Sequence, residues 1–478
     1  MRRRRFSAPF ASSAVLWMVA ICVAGLTTSA RANNNNGNNG GGNNNNNNNN
    51  NNTGAFVQPV AGVEVDASGV LRVRHFDPRV GMARMQAARQ ALPADLQRPS
   101  PLRKISLNRL EAAVAAAGAA SDEMQAMAGL TRIEYVFFYP DSGDVVIAGP
   151  AEPFVHDPAG RLRGADSGRP VILLEDMVTA LRAYPPDGEA TRVISVSIDP
   201  TEEGLQRLQQ VLRRIGPGLR PQDAARLAMT LKNNLGLQNV TIQGIPTSTH
   251  FAQVLVEADY RMKLIGIGLE QLPIRMPSYV QRANPAQVAA NAMERWYFEP
   301  NYEGVRTSED GLAMQLSKHG VKLVGANERV GADGRRTGGG RGNRASEAFC
   351  KDFTDNYDQI AEVAPVYAQM RNLIDAAIAA AYIQDQDFYS KANWSLDYFG
   401  DESQYAVEQH QAPVQVETAV NAVWKGSTLM TPLGGGVNVQ PRVALKSDIK
   451  QVDRSGETET SRRSAVPANL KDGQWWWD

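Results

Sequence analysis

The densest set of side chains able to move a proton is Glu257-Ala258-Asp259-Tyr260-Arg261-Met262-Lys263. Two carboxylates beside two cations are the raw material of general acid–base chemistry, provided a cleft and a shifted pKa set one carboxyl apart. Glu257, Asp259 and Arg261 are therefore the candidate catalytic residues. The same spacing has a plainer use. On a helix over residues 251–265, Phe251, Val254, Leu255, Ala258, Met262 and Ile265 share one apolar face. Glu257 then meets Arg261, and Asp259 meets Lys263, at i,i+4 in the favoured orientation. As exposed pairs these contribute about 0.3–0.5 kcal/mol each. Residues 251–256 also read as a strand, because Val254-Leu255-Val256 has no helical period.

Other chemistries leave little trace. The five histidines, His75, His156, His250, His319 and His410, are widely spaced, and neither HExxH nor CxxC occurs. No metal site and no cofactor are expected. There is no P-loop, no GxSxG elbow, and only the fragment Gly266-Ile267-Gly268 of a dinucleotide fingerprint, with Gln271 where the third glycine belongs. Ser447-Asp448-Ile449-Lys450 fits SxxK, but it lies in a polar stretch with no apolar helix to desolvate the lysine. Arg335, Arg336, Arg341 and Arg344 in a glycine-rich segment resemble an RNA-binding patch, and a flexible linker explains the same residues. Trp475-Trp476-Trp477 either anchors the chain to a sugar, a partner groove or a lipid surface, or docks on its own domain or hangs free.

The elements that would position these residues begin after an address. Arg2 to Arg5 form a basic start, and Ala14 to Leu26 is an apolar run of 13 residues. As a helix that run is roughly 20 Å long, short of a ~30 Å hydrocarbon core. Ala30-Arg31-Ala32 supplies a small-x-small cleavage pattern, so residues 1–32 read as an export signal cut after Ala32. Export by the general or the twin-arginine route is left open. Residues 33–54 follow as a tether, with 16 Asn and 4 Gly between Asn33 and Asn52. The full chain has 50 basic and 50 acidic residues; without the signal's five arginines the net charge is −5. That balance is poorly suited to nucleic acid, and no membrane span is expected once the signal is removed. Of two cysteines only Cys350 lies beyond the signal, so stability must come from core packing. Beside Phe349 on a helix face, Cys350 reads as buried.

A length of 478 residues favours two or three domains. Residues 55–330 read as mixed α/β, with a subdomain boundary near residue 190 as one option. Hairpins are predicted around Asp66-Ala67-Ser68-Gly69 and Pro140-Asp141-Ser142-Gly143, and helices over 106–117 and 173–183. The clearest unit is 192–244: a strand through Val193 to Ile198, then a helix with Asp199 as N-cap and Pro200 at its first position. A second helix closed by Gly236 and a strand at Val240-Thr241-Ile242 complete it. Residues 331–345 are a Gly/Arg linker, 346–445 a helical module with a terminal hairpin around Gly434-Gly435-Gly436, and 446–478 a loose, disordered polar tail. The fold class expected is α/β, a mixed sheet with helices, followed by a smaller helical module and a short β or disordered tail.

The stretch from His250 to Lys263, with Arg295-Trp296-Tyr297-Phe298, Gly320-Val321-Lys322-Leu323-Val324 and the helical module from Phe353 to Ala381, resembles an uncharacterised family of exported planctomycete-type bacterial proteins, known only as a domain of unknown function. The resemblance covers roughly 192–381. It implies export and a bacterial envelope setting, and it carries no activity, cofactor or catalytic residue.

Two functions stay open on the sequence. The first is an exported, non-enzymatic binding or structural component of the envelope, with an envelope protein or a glycan as partner. The alternative is an exported carboxylate-dependent hydrolase acting on cell wall or polysaccharide through the cluster around Asp259. No ligand and no oligomeric state follow from the sequence.

Overall fold

The computed structural model describes residues 19–23, 60–75, 92–157, 160–214, 221–284, 292–301, 305–316, 320–330, 336–338, 343–421, 423–425, 428–433, 437–467 and 470–478. The helices used below are α1 (Leu107–Ala117), α2 (Leu174–Ala183), α3 (Glu202–Arg214), α4 (Ala224–Leu235), α5 (His250–Gly266), α6 (Arg344–Asp355), α7 (Tyr357–Val363), α8 (Pro365–Asp385) and α9 (Glu457–Ser464). The fold is α/β, with mixed sheets, and the chain is mostly helical from α6 through α8.

Local chemistry makes the hairpins. Asp66 accepts hydrogen bonds from the backbone N–H groups of Ser68 (2.9 Å) and Val70 (3.1 Å), and Val65 pairs with Leu71. The run Tyr135–Tyr139 turns back antiparallel onto Asp144–Ala151. Its nearly unbroken apolar character has a physical reason. Val136 and Phe138 face the main core, while Phe137 and Tyr139 face a second, smaller one. A strand buried on both faces carries no polar alternation.

Two large sheets dominate. One has nine strands in the order Arg336–Gly338, Val321–Val330, Ala292–Pro300, Val437–Val439, Ile194–Pro200, Gln238–Gln243, Gln415–Val416, Val70–His75 and Val60–Val65. The other has seven, in the order Gln451–Val452, Arg306–Thr307, Ala313–Gln315, Tyr135–Tyr139, Asp144–Ala151, Ser100–Ser106 and Trp476–Trp477. Distant parts of the chain interleave in both. Residues 434–436, where the turn of the expected hairpin falls, lie outside the described residues, and among the described residues the two flanking segments do not pair with each other. Val416 pairs with Leu71 and Gln238, whereas Val437 lies between Phe298 and Val196. Inserted there, Val416, Val437 and Val439 are at most 1% exposed. An isolated hairpin would leave one apolar face in water and two edges unpaired.

The unit 194–243 is a strand, two helices and an antiparallel strand. Its first helix starts later than expected. Asp199 and Pro200 pair with Asn239 and Gln238, and Thr201 takes the cap, its Oγ1 accepting from the Gly204 N–H at 3.0 Å.

Residues 446–478, expected to be loose, are folded where described. Helix α9 covers the second face of the seven-stranded sheet with Ala465 against it, and Trp476 and Trp477 pair with Ile105 and Lys104. Trp477 packs on that second face, while Trp475 and Trp476 pack with the main core, so the indole rings and the apolar surfaces they cover bury each other. Within the run read as an export signal, Val19–Val23 pairs antiparallel with Thr428–Leu433; Ala32 and the Asn-rich tract lie outside the described residues. Of the Gly/Arg segment, residues 336–338 form a strand against Val321–Val330, and α6 begins at Arg344.

Helix α8 is the central column. From Val366 to Ile383 every residue is buried, and a helix apolar nearly all round belongs inside a core. It packs against α2, α5 and α7. Among the described residues no helix is long and apolar enough to cross a membrane.

Candidate functional site

Residues 251–256 are helical, which settles the helix-or-strand ambiguity. The Thr249 hydroxyl caps α5 by accepting from the Ala252 N–H at 3.2 Å, and the predicted stripe from Phe251 to Ile265 is buried. Both i,i+4 pairs form, with Arg261 Nη1 3.3 Å from Glu257 Oε1 and Lys263 Nζ 3.4 Å from Asp259 Oδ2. They are not surface pairs. Glu257, Asp259, Arg261 and Lys263 are each at most 4% exposed. The cause is tertiary: α5 has the strand Ile194–Pro200 on one side and α2 and α8 on others, and His250, Gln253 and Leu264 are its partly exposed residues.

Burial requires neutralisation, and residues from other segments supply it. Arg161 Nη2 lies 2.6–2.7 Å from both Glu257 oxygens, while its Nη1 donates to Gln369 Oε1 at 3.0 Å. Arg261 donates through Nη2 (2.6 Å) and Nε (3.1 Å) to Glu270 Oε1. Two guanidinium groups and two carboxylates thus form a closed quartet. Burial alone would raise the pKa of Glu257; Arg161 and Arg261 outweigh it and hold the carboxyl below its ordinary value. Burial likewise opposes charge on Arg261, and Glu270 and Glu257 outweigh it to keep the guanidinium protonated. For Lys263 burial prevails and the ammonium pKa falls, although Asp259 opposes; its Nζ also lies 3.3 Å from the Ile198 carbonyl.

The quartet runs on into a histidine pair. Arg161 orients the Gln369 amide so that its NH2 faces His250 Nε2 at 3.4 Å. His250 Nδ1 donates to Asp176 at 2.9 and 3.1 Å. Burial disfavours a charged His250, but Asp176 outweighs it and raises the imidazole pKa. An Asp–His pair can orient an imidazole for proton transfer. Here the outer nitrogen, which would meet a substrate, faces the Gln369 amide. Asp176, Gln369 and Asn372 line a small hollow otherwise walled by Val171, Ile172, Leu373 and Ala376.

The His250 ring lies 5.8 Å from that of His410. His410 Nε2 is 3.4 Å from Glu175 Oε2, and one ligand atom each of Glu175, Glu408 and His410 lies within 4.8 Å of the others. Glu175 and Asp176 stand in the first turn of α2, where the helix dipole favours negative charge.

Sequence reasoning found Glu257, Asp259 and Arg261 but not Arg161, Glu270, Asp176, Glu175, Glu408 or Gln369. The available hints were the adjacent Glu175-Asp176 at a predicted helix start and the presence of His250 on the same helix as the charged cluster. Elsewhere, Ser447 sits in an exposed turn, His156 is exposed, and His319 lies outside the described residues. Cys350 is buried beside Phe349, as expected.

Residues 196–279 match the family model DUF1598, described as a protein of unknown function. The match opens in the strand Ile194–Pro200 and takes in α3, α4 and the whole of α5. No curated protein and no solved structure matches the chain.

Proposed function

We propose that this is an exported, non-enzymatic binding or structural component of a bacterial envelope. The observation that carries the non-enzymatic reading is the closed quartet. Glu257, Arg261 and Glu270 are at most 5% exposed, and each carboxylate is engaged by a guanidinium, so neither is open to a substrate. A buried, mutually neutralised set holds α5 to Arg161 and Glu270, and through Gln369 to α8; it is poorly placed to exchange protons with a bound glycan. Export rests on the basic start, the apolar run and the Ala30-Arg31-Ala32 pattern, and cleavage there removes Val19–Val23 from its pairing with Thr428–Leu433.

The purified protein is expected to turn over nothing on a panel of cell-wall and polysaccharide substrates. Glu257→Gln is expected to cost about 3–5 kcal/mol of stability, as loss of one partner of a buried pair does. Turnover by the wild type that disappears in a folded Glu257→Gln or Asp259→Asn variant would replace this reading with the carboxylate-dependent hydrolase. Export has its own test. The exported protein should begin at Asn33, and recovery of an intact Met1 from the soluble cytosol would refute it.

A further inference from the structure

We infer that Glu175, Glu408 and His410 form a binding site for a divalent transition-metal ion of the Zn²⁺ type. The site joins the first turn of α2 to a loop 235 residues further on. Its donor set is one imidazole and two carboxylates, with ligand atoms all within 4.8 Å of one another. Zinc ligands sit about 2.0–2.2 Å from the ion, so small side-chain rotations bring three such atoms onto one centre. Imidazole with carboxylate suits zinc and its neighbours, whereas calcium and magnesium take oxygen ligands.

The loop that presents two of the ligands is held in place. The His410 N–H donates to the Ser248 carbonyl at 2.7 Å, the Ser248 hydroxyl donates to Gln409 Oε1 at 2.6 Å, and Gln253 Nε2 donates to the Gln411 carbonyl at 3.1 Å. Those three anchors flank and open α5, so His410 cannot swing away without releasing them. Glu175 and His410 are half-buried and Glu408 is exposed, which gives an ion a way in. A bound ion would pin the loop to α2 and so stabilise the folded chain.

The experiment uses the full chain stripped with a chelator. Zn²⁺ is titrated by calorimetry and thermal unfolding is followed with and without the ion. One Zn²⁺ per chain and a raised Tm are expected. Glu408→Gln changes an exposed side chain and leaves the fold intact. Both it and His410→Ala should weaken binding beyond the roughly 10–100-fold that loss of an outer-shell partner costs. His156→Ala, at an exposed histidine elsewhere, should bind as the wild type does. Absence of Zn²⁺ binding, binding that survives both ligand substitutions, or equal binding of Ca²⁺ or Mg²⁺ would overturn the assignment.

Discussion

Arg103 and Asp478 stand 375 residues apart in the chain and meet as a two-pronged ion pair, Nε to Oδ1 at 2.8 Å and Nη2 to Oδ2 at 3.0 Å. The guanidinium is fully buried; it also donates to the Ala128 carbonyl at 2.6 Å and lies 4.4 Å from the centroid of the Trp476 ring. The pair closes the edge of the seven-stranded sheet, because Trp476 and Trp477 are the strand laid against Ser100–Ser106. Asp478→Asn keeps the shape and removes the charge. The carboxylate is 47% exposed, so solvent screens part of the pair. The expected loss is about 1–2 kcal/mol, toward the lower end for a hydrogen bond to a charged group. Urea denaturation of the two proteins checks it, and equal midpoints would show the pair to be energetically idle.

Gly266, the last residue of α5, is pressed against Trp296. A Cβ built there would lie 1.9 Å from Cζ3 of the indole, and the ring cannot retreat. It is fully buried, it donates from Nε1 to the Ser346 hydroxyl at 2.7 Å, and its centroid is 4.5 Å from that of Phe349. Gly266→Ala is therefore expected to destabilise by about 1–3 kcal/mol through overpacking, although alanine is the better helix former. The accompanying sign would be a changed tryptophan emission, since the indole must shift. A variant as stable as the wild type would contradict the tight contact.

What could be read from the residues was local. The Asp66–Gly69 turn, the Pro140–Gly143 turn and the stripe of α5 each depend on neighbours a few positions away, and each formed where expected. The helix after Pro200 began later than expected because Asp199 and Pro200 found partners in Asn239 and Gln238, and pairing outweighed capping. Val437–Val439 was misplaced for a different reason. A three-residue strand has no period to detect, and its destination between Phe298 and Val196 is a property of the whole sheet. The ion pairs of α5 show the limit most sharply. Glu257 and Arg261 have the same spacing on a solvated helix as in a core, and only Arg161 and Glu270, brought in by the fold, reveal which it is. Nor does any short window contain Glu175, Glu408 and His410 together.

Asp375, on α8, makes the stability depend on pH. It is 1% exposed, and its nearest cation, Arg132, has Nε no closer than 3.8 Å to Oδ2. Burial pushes the carboxyl up from 3.8 to about 6; Arg132 and Arg371 pull it down without prevailing, and Glu134 adds to the rise. Because the folded pKa lies above the unfolded one, the folded chain holds the extra proton between those values. The stabilisation is complete below about pH 4 and is lost as pH rises through about 6, amounting to about 3 kcal/mol at 1.36 kcal/mol per unit. Glu257 works in the opposite sense. Its lowered pKa favours the fold at higher pH, and that advantage is lost on acidification, so the raw curve of the wild type mixes both. Asp375→Asn isolates the first effect, since the amide does not titrate. Chemical denaturation of both proteins from pH 4 to pH 7 should show the wild type losing stability relative to the variant by roughly 2–3 kcal/mol across that range. A difference that stays flat with pH would mean that Asp375 is ionised in the fold throughout, paired with Arg132 and Arg371 more closely than a 3.8 Å separation allows.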